Sequence, residues 1–223
     1  MPRTTSKHAF RWMARACGST VLLCATTLVV ATPLAIRIEK RDGKPLNGAV
    51  LTLEAEAQRL PAVSPVSVIV DQVDLSFVPD VVVIPVGSTV SFPNSDAVSH
   101  QVYSFSSTRR FQLPLYRGKP YPPVMFDQPG VVTLGCNIHD NMLAYVVVTD
   151  APFFGRSDAR GLWAVPDVPN GKYKLRLWHP LLNEPAIERE IEVGSASPAD
   201  ALVKLTHALR PAPISSRPHS WDY

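Results

Sequence analysis

Cysteine is scarce in this 223-residue chain. Of the three cysteines, Cys17 and Cys24 lie near the N-terminus, which leaves Cys136 alone in the rest of the sequence. Cys136 therefore has no partner for an intramolecular disulfide once an N-terminal leader is removed. In an oxidising compartment such a cysteine forms an intermolecular bridge, remains a reactive thiol, or binds a metal as thiolate.

Charged residues are also few, at 18% of the chain against 46% apolar residues. That much apolar surface excludes a disordered chain. The first 31 residues contain no acid and four basic residues, Arg3, Lys7, Arg11 and Arg15, and beyond them 18 basic residues stand against 19 acidic ones. Because no basic stripe survives in this remainder, a nucleic-acid binder is disfavoured.

A long hydrophobic run is missing as well. The apolar stretch after the basic residues, Gly18–Ala31, has fourteen residues, too few to span a hydrocarbon core of about 30 Å. Basic residues followed by a short apolar stretch are typical of a secretory signal peptide. We predict that residues 1–31 are this signal, that the protein is periplasmic, and that it begins near Thr32 or Ile36. An uncleaved membrane anchor is the alternative.

Proline, in contrast, is abundant, with 22 residues, roughly twice the usual share of about 5%. Proline is costly inside helices, and short β-branched runs recur about every 8 to 12 residues, a spacing typical of β-sandwiches. The sequence therefore predicts an all-β fold. Residues 34–39 and 49–54 alternate around Asp42-Gly43, which predicts a hairpin. The Pro- and Ser-rich residues 206–223 are predicted to be a disordered tail.

Candidate ligands are concentrated in a short loop between two predicted strands, residues 131–134 and 144–149. The loop places the thiol of Cys136, the imidazole of His139 and the thioether of Met142 within seven residues. His100, on an earlier strand, offers a second imidazole. A thiolate, two imidazoles and a weak axial thioether are the ligands of a mononuclear blue-copper site, whereas zinc normally takes more cysteines or a carboxylate.

The arrangement of these residues resembles the cupredoxin, or blue copper, family, and within it the amicyanin-like, methylamine-utilisation branch. The resemblance covers roughly residues 66–149. It rests on two motifs, Phe126-x-x-x-Gly130-x-x-x-x-x-Cys136-x-x-His139-x-x-Met142 followed by Val146–Val148, and Gly87–Phe92 followed by Asn94 and His100. It implies a Greek-key β-sandwich that binds one type 1 copper ion through His100, Cys136, His139 and Met142.

The flanking segments resemble a different module, the carboxypeptidase regulatory-like β-sandwich. Residues 36–54 and 157–178, with their Asp-Gly-Lys-Pro-Leu and Val-Pro-Asn-Gly-Lys-Tyr turns, are similar to its two halves. We therefore predict a discontinuous second sandwich, 36–60 plus 151–205, with the cupredoxin domain at 64–150 inserted in it or preceding its larger part.

The family resemblance implies a periplasmic electron carrier rather than an enzyme. Its partner would be a dehydrogenase or cytochrome c, in an amine-oxidation pathway, with electrons passing through the more exposed ligand, His139. A non-redox copper-binding or structural module of the cell envelope is the alternative. A thiol enzyme with Cys136 as nucleophile and His100 as base is disfavoured, because no oxyanion-hole motif or nucleophile turn is present.

Overall fold

The structure is a computed structural model that describes residues 31–58, 60–118, 120–194 and 200–212. Every regular element in these ranges is a β-strand, which confirms the all-β class. No helix in the described part of the chain is both long and apolar enough to cross a membrane. The predicted signal peptide, up to residue 30, and residues 213–223 of the predicted tail lie outside the described residues.

Seventeen strands follow one another along the described chain. In order they are β1 Ala31–Glu39, β2 Val50–Ala55, β3 Ser67–Ile69, β4 Asp71–Val73, β5 Ser76–Val78, β6 Val81–Pro85, β7 Ser88–Ser91, β8 Tyr103–Ser104, β9 Phe111–Gln112, β10 Val124–Phe126, β11 Gly130–Gly135, β12 Leu143–Thr149, β13 Phe153–Arg156, β14 Leu162–Pro169, β15 Gly171–Trp178, β16 Ile187–Val193 and β17 Asp200–Lys204.

The strands form two sandwiches. The first, here called the flanking sandwich, packs sheet β14-β1-β17 on sheet β13-β2-β15-β16, and the second, the inserted sandwich, packs sheet β10-β7-β3 on sheet β6-β12-β11-β8-β9 with the small β4-β5 hairpin beside them. The chain thus begins in the flanking sandwich, builds the inserted sandwich between β2 and β13, and returns. The predicted domain boundaries, 36–60 plus 151–205 and 64–150, remain a prediction.

The predicted hairpin of residues 34–39 and 49–54 is wrong. β1 pairs with β14 and β17, whereas β2 pairs with β13 and β15, so the two strands lie in opposite sheets. Ile36 and Ile38 on β1, like Leu51 and Leu53 on β2, are 0% exposed in one core. Each strand has a pairing partner at both of its edges, so β1 and β2 bury these side chains against each other across the core between the two sheets.

The two sandwiches touch through a small apolar cluster in which Val50 of β2 meets Val81 and Val147 of the inserted sandwich. Beside it the rings of Tyr145 and Trp178 lie 5.2 Å apart. The Arg156 guanidinium donates to the Val81 carbonyl at 3.0 Å across the same boundary. Both apolar and polar contacts therefore join the sandwiches.

The start of the predicted disordered tail lies against the flanking sandwich. The Arg210 backbone N–H donates to the Leu181 carbonyl at 2.8 Å, and its guanidinium donates to the Pro180 carbonyl at 2.7 Å. Leu209 packs on the flanking core. Leu209 and Arg210 thus make specific contacts with the flanking sandwich, which composition alone did not indicate.

A buried histidine makes the flanking sandwich sensitive to acid. His179, 1% exposed, accepts the Leu181 backbone N–H through Nδ1 at 3.1 Å. Burial, with smaller contributions from Arg156 and Lys40, lowers the pKa of His179 to about 4. The unfolded imidazole has a pKa near 6.5, so its stabilising contribution is complete above that pH and is lost as the pH falls towards 4.

We therefore expect the part of the unfolding free energy that depends on His179 to fall by about 2 kcal/mol between pH 7 and pH 5. His179→Asn offers an amide oxygen to the Leu181 N–H but does not titrate. Urea unfolding of both proteins at the two pH values checks this, because other titrating groups affect both alike. Identical pH dependence in the two proteins would contradict the assignment.

Candidate metal centre

Three of the four predicted ligands belong to the loop that joins β11 to β12. Cys136 directly follows β11, Met142 directly precedes β12, and His139 lies between them. The two strands pair up to Gly135 and Leu143, so the seven-residue loop is closed at its base. The Met142 backbone N–H donates to the His139 carbonyl at 3.1 Å, which tightens the turn and holds these side chains close together.

His100 reaches the same place from the segment between β7 and β8. Its backbone exchanges two hydrogen bonds with Tyr116, each 2.9 Å long. Tyr116 is held in turn, because its hydroxyl donates to the Phe92 carbonyl and accepts from the Gln72 amide. Burial raises the pKa of Tyr116 to about 12, so the phenol stays neutral and keeps donating. His100 thus has a fixed backbone support.

The three nitrogen and sulfur donors converge. The two Nδ1 atoms of His100 and His139 are 3.1 Å apart, and the Cys136 Sγ lies 3.8 Å from the first and 3.6 Å from the second. Within the described part of the chain this is the one group of three or more His, Cys, Asp or Glu side chains so placed. The structure therefore brings together residues 100, 136 and 139 as the sequence predicts.

These separations fit one metal ion among the three donors. Metal–nitrogen bonds of about 2.0 Å and metal–sulfur bonds of about 2.3 Å in a trigonal plane would place the two nitrogens about 3.5 Å apart and each nitrogen about 3.7 Å from the sulfur. The nitrogen–nitrogen distance of 3.1 Å and the nitrogen–sulfur distances of 3.8 and 3.6 Å differ from these values by about 0.4 Å or less. Two imidazoles and one thiolate are the donor set of a copper electron-transfer site, so the residues fit a copper ion after small shifts of the imidazoles.

Burial differs among the donors in a way that matters for access. His100 is 0% exposed and Cys136 6%, whereas His139 is partly exposed. Two exposed apolar side chains, Ile138 and Leu143, are close to His139 in the sequence. Of the three donors, His139 therefore offers the shortest route from the centre to the surface.

Met142 lies in the same core cluster as Cys136 and is 3% exposed. This burial suits a thioether near the donors, and it equally suits a core side chain. Its assignment as the fourth, axial ligand remains a prediction.

Two polar residues that support the site, Asn94 and Asp96, were not identified as supporting residues from the sequence. Asn94, 5% exposed, donates through Nδ2 to the carbonyls of Val98 and Tyr116 at 3.0 Å each. Asp96 accepts from His100 Nε2 at 2.7 Å. The sequence places Asp96 four residues before the candidate ligand His100. In an irregular segment, however, that spacing does not predict a contact between the two side chains.

Comparison with known proteins returned matches among solved structures, while no protein-family model and no curated protein matches the chain. A copper-containing nitrite reductase from Thermus scotoductus SA-01 is 30% identical, with 43% of this chain and 25% of that chain covered and a TM-score of 0.36. This chain thus spans about a quarter of that reductase.

Two smaller proteins match over most of their own length. A purple cupredoxin from Nitrosopumilus maritimus is 27% identical, with 34% of this chain and 84% of that chain covered and a TM-score of 0.31. A reduced Cu(I) form of an amicyanin variant is 22% identical, with 37% and 82% covered and a TM-score of 0.35. The structural neighbours are cupredoxins, the family that the sequence resembles.

Proposed function

We propose that the inserted sandwich holds one copper ion through His100, Cys136 and His139, with Met142 as a weak axial ligand, and that it carries single electrons. The observation that supports this most strongly is the convergence of two imidazole Nδ1 atoms and one thiol sulfur at 3.1 to 3.8 Å. Copper bound there would supply a Cu(I)/Cu(II) couple.

The surrounding residues suit one-electron transfer. Cys136 offers a soft thiolate that favours Cu(I), and the imidazoles serve both oxidation states. Backbone hydrogen bonds fix His100 and close the loop carrying Cys136 and His139, so the donors need to move little between states. The low exposure of Cys136 also keeps substrates from its sulfur, which disfavours the thiol-enzyme alternative.

The partner is a redox protein that docks over His139. The partly exposed imidazole and the apolar side chains Ile138 and Leu143 form a surface suited to a weak, transient encounter. From the sequence resemblance we infer a dehydrogenase or a cytochrome c in the periplasm, in a pathway of amine oxidation. We also propose that the chain has two domains, the flanking sandwich at 36–60 plus 151–205 and the copper domain at 64–150. The flanking sandwich would hold the copper domain in place through the contacts between them.

Copper loading tests the proposal directly. The exported protein, freed of metal and incubated with excess Cu(II), is expected to retain one copper per chain after gel filtration and to show the intense blue thiolate-to-copper absorption. Zinc loaded in the same way is the control and gives a colourless protein. A protein that retains no copper, or retains it without colour, would contradict the proposal.

Met142 is expected to set the reduction potential more than to hold the metal, because a thioether is a weak axial ligand. Met142→Gln replaces it with a harder oxygen donor that favours Cu(II). The Cu(I)/Cu(II) ratio at a fixed solution potential should fall about tenfold, or ~59 mV for one electron, while copper and a modified blue or green colour remain. Voltammetry measures this change.

Met125, 51% exposed on β10, provides the matched control, and Met125→Gln should leave the potential unchanged. An unchanged potential in Met142→Gln as well would make Met142 a core residue. Loss of all copper from Met142→Gln would show that Met142 is needed to hold the metal and is not a weak ligand.

A further inference from the structure

A partly buried carboxylate lies behind the most buried donor. Asp96 Oδ2 is 2.7 Å from Nε2 of His100, with side-chain exposures of 9% and 0%. A carboxylate can only accept, so Nε2 bears the hydrogen in this contact. In a neutral imidazole that leaves the lone pair on Nδ1, the atom that faces Cys136 and His139. The contact therefore selects the tautomer able to bind a metal.

Asp96 is itself held in place. Its carboxylate accepts the backbone N–H of Asp74, and that of Leu75 at 2.9 Å, and its own N–H donates to Asn94 Oδ1 at 3.0 Å. Asp74 and Leu75 form the turn between β4 and β5 with φ of 46° and 57°, a region that non-glycine residues seldom adopt. This uncommon turn points both N–H groups at one carboxylate.

We propose that Asp96 is the positioning residue of the metal centre, held there by its hydrogen bonds to the β4–β5 turn. It orients His100 and stabilises the oxidised copper ion relative to the reduced one. The inference rests on the proposed copper function and adds a residue to it. A carboxylate that accepts from a ligating imidazole makes that imidazole a stronger donor. A nearby negative charge favours the more highly charged ion, so both effects act in the same direction.

The chain offers a matched control in Asp71. Its carboxylate lies in the same corner and accepts the Ser95 hydroxyl at 2.7 Å and the Gln72 backbone N–H at 2.7 Å. Asp71→Asn and Asp96→Asn each remove one negative charge from this corner, since Asp71 contacts Ser95, the neighbour of Asp96. Asp96→Asn alone removes the carboxylate that accepts from the ligand, so a difference between the two variants isolates that hydrogen bond.

Asp96→Asn is expected to raise the Cu(I)/Cu(II) ratio at a fixed solution potential at least tenfold, or ~59 mV for one electron. Its Cu(II) affinity should fall about 10- to 100-fold. Asp71→Asn should change either quantity by less than threefold. Redox titration of the copper absorption and competition with a Cu(II) chelator measure both. Equal shifts in the two variants would overturn the proposal.

A second measurement needs neither copper nor a stable variant. Long-range ¹H–¹⁵N spectra of the metal-free wild-type protein report which imidazole nitrogen of His100 bears hydrogen, and Nε2–H is expected. An Nδ1–H tautomer would overturn the proposal even if copper binds. Failure of the wild-type protein to bind copper would instead defeat the proposed function and leave this tautomer result standing.

Discussion

Cys136→Ala is expected to abolish the blue colour completely and to lower copper affinity by orders of magnitude. The absorption arises from charge transfer between thiolate and Cu(II) and needs the bond from Cys136 Sγ. Two imidazoles remain in the variant, but the soft anionic donor that stabilises the reduced ion, the Cys136 thiolate, is absent. Visible absorption and bound copper, measured after loading and gel filtration, check this expectation.

Thr133→Ala is the control for this change. Thr133 lies on β11, three residues before Cys136, and is exposed, so this variant should remain blue with one copper. Circular dichroism of Cys136→Ala should match that of the metal-free wild-type protein, since a small thiol is replaced by a methyl group. A blue Cys136→Ala protein would show that another residue supplies the sulfur.

Leu53→Ala is expected to destabilise the flanking sandwich by about 2–5 kcal/mol, the usual cost of truncating a buried leucine. Leu53 is 0% exposed in the core between β1 and β2. Urea unfolding followed by circular dichroism measures the loss. In the copper-loaded protein the blue absorption reports the inserted sandwich at the same time.

Leu202→Ala makes the same chemical change at a position that is 59% exposed in the same sandwich, so its cost should stay within about 0.5 kcal/mol. Because Val50, Val81 and Val147 join the two sandwiches, we expect the blue colour of Leu53→Ala to be lost at a lower urea concentration as well. Similar costs for Leu53→Ala and Leu202→Ala would contradict the assigned core.

The grouping of His100, Cys136 and His139 was the most predictable feature of the candidate site. Cys136, His139 and Met142 lie in one short loop between β11 and β12. Their spacing in the sequence therefore already indicated that they lie near one another in the structure. His100 is remote in sequence, and its place among the donors followed from the family resemblance. Their convergence in the structure agrees with that expectation.

The supporting contacts were not predictable, for a physical reason. Asp96 meets His100 only because the β4–β5 turn directs two backbone N–H groups at its carboxylate. Such a contact depends on tertiary placement in an irregular segment and not on a repeating spacing. The turn residues Asp74 and Leu75 also adopt positive φ without a glycine, so no turn rule indicated their conformation.

Strand positions were easier to predict than strand partners. Residues 34–39 lie in β1 and residues 50–54 in β2, yet alternation along a strand indicates which side chains are buried and not which edge is paired. A short connection between two such strands suits a hairpin, and here it crosses from one sheet to the other. Ile36 and Leu51 are therefore buried on facing sheets.

The most direct test of the central claim is a spectroelectrochemical titration of the copper-loaded wild-type protein. The blue absorption is expected to disappear on reduction and to return on oxidation along one reversible curve, with one electron and one copper per chain. A blue protein whose copper cannot be cycled, or is released on reduction, would contradict an electron carrier and favour the non-redox copper-binding alternative.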